Sequence, residues 1–237
     1  LTEEHRLIQA TVREFAAKEI LPASADLDHH PRYPEEIIAK AADLGLMGLI
    51  VPEAYGGAGM DALANAIAQE ELARASAGVQ VIVSVNNSLV CDPILRFGTE
   101  EQKKRYLPRL ATGELLAAYS LSEPGAGSDA AALKTTAVWR GDHYVLNGSK
   151  QWCTNGDHAG VICVFATVDP ARRAKGVTAF LVEPGMPGFA VGKKERKMGI
   201  RASPTVALHF TDCLVPVEQR LGAEGDGFRI AMQTLDV

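Results

Sequence analysis

The chain has 237 residues, 47% hydrophobic and 22% charged, with a formal net charge of −5. That length supports a sizeable core divided between two domains, because single cores rarely grow much beyond ~250 residues. The acidic balance and the scatter of Lys and Arg exclude a nucleic-acid surface, and the one basic run, Lys193-Lys-Glu-Arg-Lys197, reads as a solvated face.

Leu7, Ile8, Val12, Phe15, Ala16 and Ile20 recur at helical spacing behind Thr2-Glu3-Glu4, and Pro22 is expected to end this amphipathic helix. In the loop that follows, His29-His30 reads as solvated, since no third ligand stands nearby. A second helix is predicted over 35–44 with Gly45 closing it, then an apolar connection over 46–51. Tyr55-Gly-Gly-Ala-Gly59 breaks the pattern, and Asp61 is placed to cap a third helix running to about Ser76. The fourth, over 79–89, carries apolar, small and amide residues that suit either a pocket wall or a core. Asp92 directly precedes Pro93, the arrangement of an N-cap before a first-turn proline. A further helix spans 99–110, and Gly113 closes the helical half.

Beyond Gly113 the period changes. Segments 115–121, 135–139, 143–146, 161–168, 178–182, 190–193 and 206–210 read as short strands between Gly, Pro and Asp turns, and 225–236 returns to helix. The fold class is therefore α+β: a helical domain over 1–113, a barrel- or sandwich-like β domain over 114–221, and the start of a second helical region over 222–237. Cys91, Cys153, Cys163 and Cys213 form no Cys-x-x-Cys pair, which speaks for buried thiols in a reducing compartment and against a metal site. The run 79–85 is too short for a membrane helix and is followed by Asn86-Asn87, and no signal peptide is recognisable, so no membrane insertion is expected.

Function concentrates between Tyr119 and Gly156. Tyr119-Ser-Leu-Ser-Glu-Pro-Gly-Ala-Gly-Ser-Asp129 and Asn147-Gly-Ser-Lys-Gln-Trp-Cys-Thr-Asn-Gly156 read as two turn-rich loops joined by a hairpin that turns at Gly141-Asp142. Gly125 and Gly127 allow backbone N–H groups to approach anionic oxygens, and Ser122, Ser128 and Thr154 add hydroxyl donors. Gly125 to Ala130 also satisfies a loose dinucleotide fingerprint. That motif needs a helix directly behind it, and here the chain turns back into strand, so a Rossmann site is rejected and an anion-contacting loop retained against a plain surface turn.

Leu121-Ser-Glu-Pro-Gly-Ala-Gly-Ser-Asp129 and Trp152-Cys-Thr-Asn-Gly156 resemble the two flavin-binding signatures of the acyl-CoA dehydrogenase family. Tyr55-Gly-Gly57, Lys197-Met-Gly-Ile-Arg-Ala-Ser203 and Gly225-Asp-Gly-Phe-Arg-Ile-Ala-Met-Gln-Thr-Leu-Asp236 follow in the family's order, so the likeness runs nearly end to end. The resemblance implies FAD as cofactor. Tyr119, Leu121, Ser122, Gly127 and Ser128 would meet the flavin or its phosphates, with Ser128 also near the CoA thioester arm. Trp152 would stack by the isoalloxazine, Cys153, where the family carries an aliphatic residue, would stand among the cofactor contacts, Thr154 would aim its hydroxyl at N5, and Asp236 would contact the CoA end.

By the same resemblance the reaction is α,β-dehydrogenation of an acyl-CoA in fatty acid metabolism, on the short-chain or butyryl branch. Electrons would pass to an electron-transfer flavoprotein from a homotetramer in the bacterial cytoplasm or mitochondrial matrix. The family's catalytic glutamate lies in a C-terminal helical domain, and this sequence reaches Val237 before either of its positions. The chain is accordingly expected to be part of a larger enzyme and to bind FAD poorly alone. Glu123, before Pro124, reads as a residue fixing loop geometry, not as a substitute base. Asp92 is either the helix cap or an acid facing the acyl pocket for a second proton transfer. An oxidase or flavin monooxygenase on the same scaffold, and a non-catalytic piece supplying cofactor walls and subunit contacts, stay open as alternatives.

Overall fold

The computed structural model describes residues 1–236. Helix α1 (Glu3–Phe15) opens with a capping box in which the Thr2 hydroxyl accepts from the His5 backbone N–H and the His5 ring accepts from that of Thr2. Contrary to expectation, Pro22 does not end the run. A π-helical segment, Ala16–Ile20, leads directly into α2 (Leu21–His29), and the Leu21 N–H donates five residues back, to the Ala16 carbonyl.

The same device recurs later in the chain. Helix α3 (Glu35–Asp43) ends before Gly45, and α4 (Ala62–Ala75) is capped by Asp61, which accepts from the Ala64 N–H at 2.7 Å. Helix α5 (Ala77–Ser84), capped by Ser76, passes through a second π segment, Val85–Cys91, into α6 (Asp92–Phe97). Asp92 is thus inside a continuous helix (φ −59°, ψ −53°) and is not an N-cap. Proline lacks an N–H, and its ring collides with the carbonyl four residues back. A wider turn just before it shifts the ladder by one residue, so Pro22 and Pro93 fall where the ladder is already open.

The continuous stretch Ala77–Phe97 is long and apolar enough by composition to cross a membrane, yet more than half of it is buried inside the protein. It is a core helix. Helix α7 (Glu100–Ala111), started by a Thr99/Gln102 capping box, completes the helical half.

The second half is one mixed sheet. Its strands are β1 (Ala117–Ser120), β2 (Thr136–Trp139), β3 (His143–Thr154), β4 (Val161–Thr167), β5 (Val177–Val182), β6 (Phe189–Lys194), β7 (Thr205–Pro216) and β8 (Arg220–Leu221), followed by α8 (Gly227–Leu235). The order is β6-β7-β3-β2-β4-β5-β8, with β1 parallel beside β4. Strands β2 and β4 meet at a single pair, Thr136 and Thr167, so the sheet folds over at that seam. Tyr144, Leu146 and Leu208 of one part then pack with Ile162, Val164 and Phe180 of the other. The opposite face of β1, β4 and β5 (Cys163, Phe165 and Leu181 among others) packs on Ile94, Tyr106, Leu107 and Ile230 of the helices. Buried on both faces, β4 and β5 are nearly unbroken apolar runs. The α+β expectation holds, with β8 and the full length of β3 and β7 as additions.

Candidate functional site

The first signature leaves the end of β1 as a tight turn in which Glu123 and Ala126 exchange backbone hydrogen bonds. Only a single 3-10 turn, Ala130–Ala132, follows Asp129, consistent with rejecting a Rossmann site. Glu123 is buried and fixes the loop. Its carboxylate accepts from the Lys134 N–H at 2.6 Å, the Thr135 N–H at 3.0 Å and Lys150 Nζ at 2.8 Å. Burial works to raise the Glu123 carboxyl, but the Lys150 charge and these donors outweigh it and hold it below the usual range.

The second signature is not a loop. Strand β3 continues through it to Thr154, and two register shifts against β7 shape it. Between Lys150 and Cys153, β3 carries one residue more than β7, a bulge that re-aims its side chains. Trp152 sits in that bulge at φ 63°, a conformation bulky residues rarely adopt, with its side chain 56% exposed. Cys153 points the other way. It is buried in the inner sheet core with Sγ 3.7 Å from the Tyr119 carbonyl, so the structure does not place its side chain toward a cofactor.

Both signatures open onto one cleft of about 450 Å³. Tyr119, Leu121 and Ser122 line it from the end of β1, Gly127 and Ser128 from the turn, and Trp152 and Thr154 from β3. Val85 and Leu89 of the second π segment and Met232 and Leu235 of α8 close it with apolar surface. The predicted wall over 79–89 is therefore half right. Val85 and Leu89 face the cleft, whereas Val79, Ile82 and Val83 pack in the helical core and Asn86 and Asn87 face away, their amides donating to the Met47 and Leu46 carbonyls at 2.8 Å.

Besides Cys153, two sequence candidates fall outside this lining. Asp92 pairs with Arg96 at 3.3 Å, and Arg96 also donates to the Gln233 carbonyl, which clasps α6 to α8. Burial raises the Asp92 carboxyl against the opposing Arg96 charge, but the side chain is not among those facing the cleft, so a proton-transfer role finds no geometry here. Asp236 caps the end of α8 through its N–H to the Met232 carbonyl and is exposed; Leu235, not Asp236, reaches the cleft. The basic run over 193–197 is solvated, with Lys193, Lys194 and Arg196 exposed, and Lys194, Arg196 and Lys197 border a separate hollow of about 400 Å³ with Arg201.

Three features show that a flat, polar-edged cofactor fits the main cleft. The Tyr119 hydroxyl is buried in the lining without a hydrogen-bond partner among the described residues, and burial raises its pKa, so it stays a neutral donor. A Cβ at Gly125 or Gly127 would meet no protein atom within 4 Å, and neither residue has a positive φ. Nothing inside the protein demands glycine there, and at Gly127, which lines the cleft, the bare backbone leaves room for a ligand to approach. Gly148 is the contrast, since a Cβ there would come within 2.5 Å of Thr135 Oγ1. Finally, Trp152 offers a broad aromatic face held at the rim by backbone strain.

Residues 2–114 match the N-terminal domain of acyl-CoA dehydrogenases, and residues 118–213 match the middle domain. The chain belongs to the acyl-CoA dehydrogenase family. It is 49% identical over 237 residues to the mitochondrial short-chain specific acyl-CoA dehydrogenase of Mus musculus, covering all of this chain and 58% of that relative. Among solved structures, butyryl-CoA dehydrogenase from Megasphaera elsdenii superposes with a TM-score of 0.96 at 44% identity, over all of this chain and 63% of the other. A chain from a study titled as the electron transferring flavoprotein of Acidaminococcus fermentans gives 0.97 at 46%, over all of this chain and 62% of that one. The chain thus spans about three fifths of the length of the relatives it matches.

Proposed function

We propose that the protein carrying this chain uses FAD to dehydrogenate a short acyl-CoA thioester between its α- and β-carbons, giving the trans-2-enoyl-CoA and passing electrons to an electron-transfer flavoprotein. The observation that carries this reading is the convergence of Tyr119, Ser122, Gly127, Trp152 and Thr154 on one cleft, although β2 and most of β3 separate the two groups in sequence. FAD would supply a hydride acceptor at its N5 atom, chemistry that no side chain provides.

The chain's own residues hold and orient. Trp152 would lie along the isoalloxazine, Tyr119 and Thr154 would donate hydroxyl hydrogens to its polar edge, and the backbone at Gly127 with the Ser122 and Ser128 hydroxyls would meet the phosphate-bearing part. Val85, Leu89 and Leu121 exclude water beside the reacting carbons, which strengthens every polar contact there. No Asp or Glu of the described residues lines the cleft, so the group that takes the α-proton is assigned to a residue outside this lining. Ser128 is retained as a contact for the thioester arm. A homotetramer in the cytoplasm or mitochondrial matrix belongs to the same reading.

The test is anaerobic mixing of the purified flavoprotein with butyryl-CoA. The flavin absorbance is expected to bleach and to return slowly in air but quickly with electron-transfer flavoprotein. Rapid recovery in air alone would identify an oxidase, and no bleaching with straight, branched or cyclic acyl-CoA would sink the reading.

A further inference from the structure

We propose that the buried Lys150–Glu123 ion pair is the positioning element of this cleft: it fixes how far apart the two ligand-facing segments stand, and so sets FAD affinity without touching the FAD. The proposal rests on the flavin reading above.

Lys150 is a fully buried lysine on β3, two residues before Trp152 and four before Thr154. Its ammonium donates to Glu123 at 2.8 Å and to the Leu121 carbonyl at 3.0 Å, and the next residue's N–H, that of Gln151, donates to the Ser122 carbonyl at 2.9 Å. Three consecutive residues of the first signature are thereby bound to the two residues of β3 directly before the second. Glu123 extends the tie in the other direction, to the N–H groups of Lys134 and Thr135 at the entry to β2. One carboxylate therefore joins the turn, the start of β2 and the strand that carries the bulge.

Stability alone does not call for this arrangement. Burying an ammonium and a carboxylate carries a large desolvation cost, and apolar residues of similar size often serve a fold equally well. What an apolar pair lacks is direction. Charge-assisted hydrogen bonds hold donor and acceptor to a narrow range of distance and angle, whereas methyl groups slide. Burial draws the Lys150 pKa down, and the Glu123 carboxylate at 2.8 Å opposes it. Leu121, Ser122 and Trp152 all line the cleft, so a small shift of the turn against β3 changes the cleft's width. Binding contacts require such placement to a fraction of an ångström.

The test uses the purified protein carrying this chain, reading FAD dissociation constant, visible flavin spectrum and apoprotein melting temperature together. The double variant Lys150→Met/Glu123→Gln removes both charges while leaving an amide oxygen to accept from one of the two N–H groups, Lys134 or Thr135. It is expected to melt within a few degrees of wild type, yet bind FAD at least tenfold more weakly and with a shifted absorption band. Should it not fold, Glu123→Asp takes its place, keeping both charges and shortening the tie by one methylene, with the same tenfold loss expected. Unchanged affinity and spectrum in a folded variant would overturn the proposal. So would failure of both variants to fold, which would assign the pair to folding. A wild type that binds no FAD would instead break the flavin reading itself, before any variant is made.

Discussion

Asn86→Ala is expected to lower the unfolding free energy by about 3–4 kcal/mol, the largest loss from any single truncation of a polar side chain in the helical half. The Asn86 amide is fully buried and donates to the Met47 carbonyl at 2.8 Å and the Leu110 carbonyl at 3.2 Å. Its oxygen accepts from the Ala117 N–H at 3.0 Å. Truncation strands that N–H at the first residue of β1 and takes the Asn86 donor from the Met47 carbonyl, while the Leu110 carbonyl keeps the Gly113 N–H at 3.3 Å. An unmet buried donor costs ~1–3 kcal/mol, more than the net worth of the bond. Asn87→Ala is the internal control. Its Oδ1 is already buried without a partner among the described residues, so removing the side chain relieves one cost while creating another, and about half the loss is expected. Urea unfolding of both variants checks the ordering, and equal losses would contradict it.

Thr154→Val is expected to slow flavin reduction by butyryl-CoA roughly a hundredfold while changing stability by less than about 1 kcal/mol. Thr154 is the last residue of β3, half-buried, with its side chain on the cleft, and valine keeps its shape and strand preference. The loss is one hydrogen-bond donor at the place assigned to the hydride-accepting edge, where a donor aimed at developing charge is worth ~10²–10³ in rate. Stopped-flow reduction under anaerobic conditions separates the step from binding. Substrate affinity should stay within a few-fold, and Thr154→Ser should recover most of the rate. A reduction rate within twofold of wild type would place the hydroxyl elsewhere.

Much of this site was legible because its chemistry is local. Hydroxyls and glycines cluster in two short stretches, and the joining hairpin at Gly141-Asp142 needs only the left-handed φ of 101° that Gly141 supplies. What escaped depends on partners far along the chain. Pro22 and Pro93 look like helix boundaries in isolation, but core residues on both sides of each, Ile20 with Leu27 and Val90 with Ile94, are worth more buried than a clean stop. The helix therefore widens for a turn and continues. Asn147 to Gln151 look like loop by composition. They are strand because Lys150 finds Glu123 at a separation of 27 residues, and because Asn147 is paired across the β7 bulge with Asp212. The neighbours of Cys153 point to a cofactor contact, and only the bulge turns its side chain inward. Strand β8, two residues long, carries no period to read.

The measurement closest to the central claim is the FAD dissociation constant of the protein carrying this chain beside that of its Gly127→Val variant. A Cβ at Gly127 meets no protein atom within 4 Å and no φ penalty, so the variant is expected to fold and melt as the wild type does. If the two signatures hold one FAD in this cleft, the valine stands where the cofactor must approach the backbone, and affinity is expected to fall at least a hundredfold. Equal FAD affinity in the two proteins would mean that the flavin is bound somewhere else.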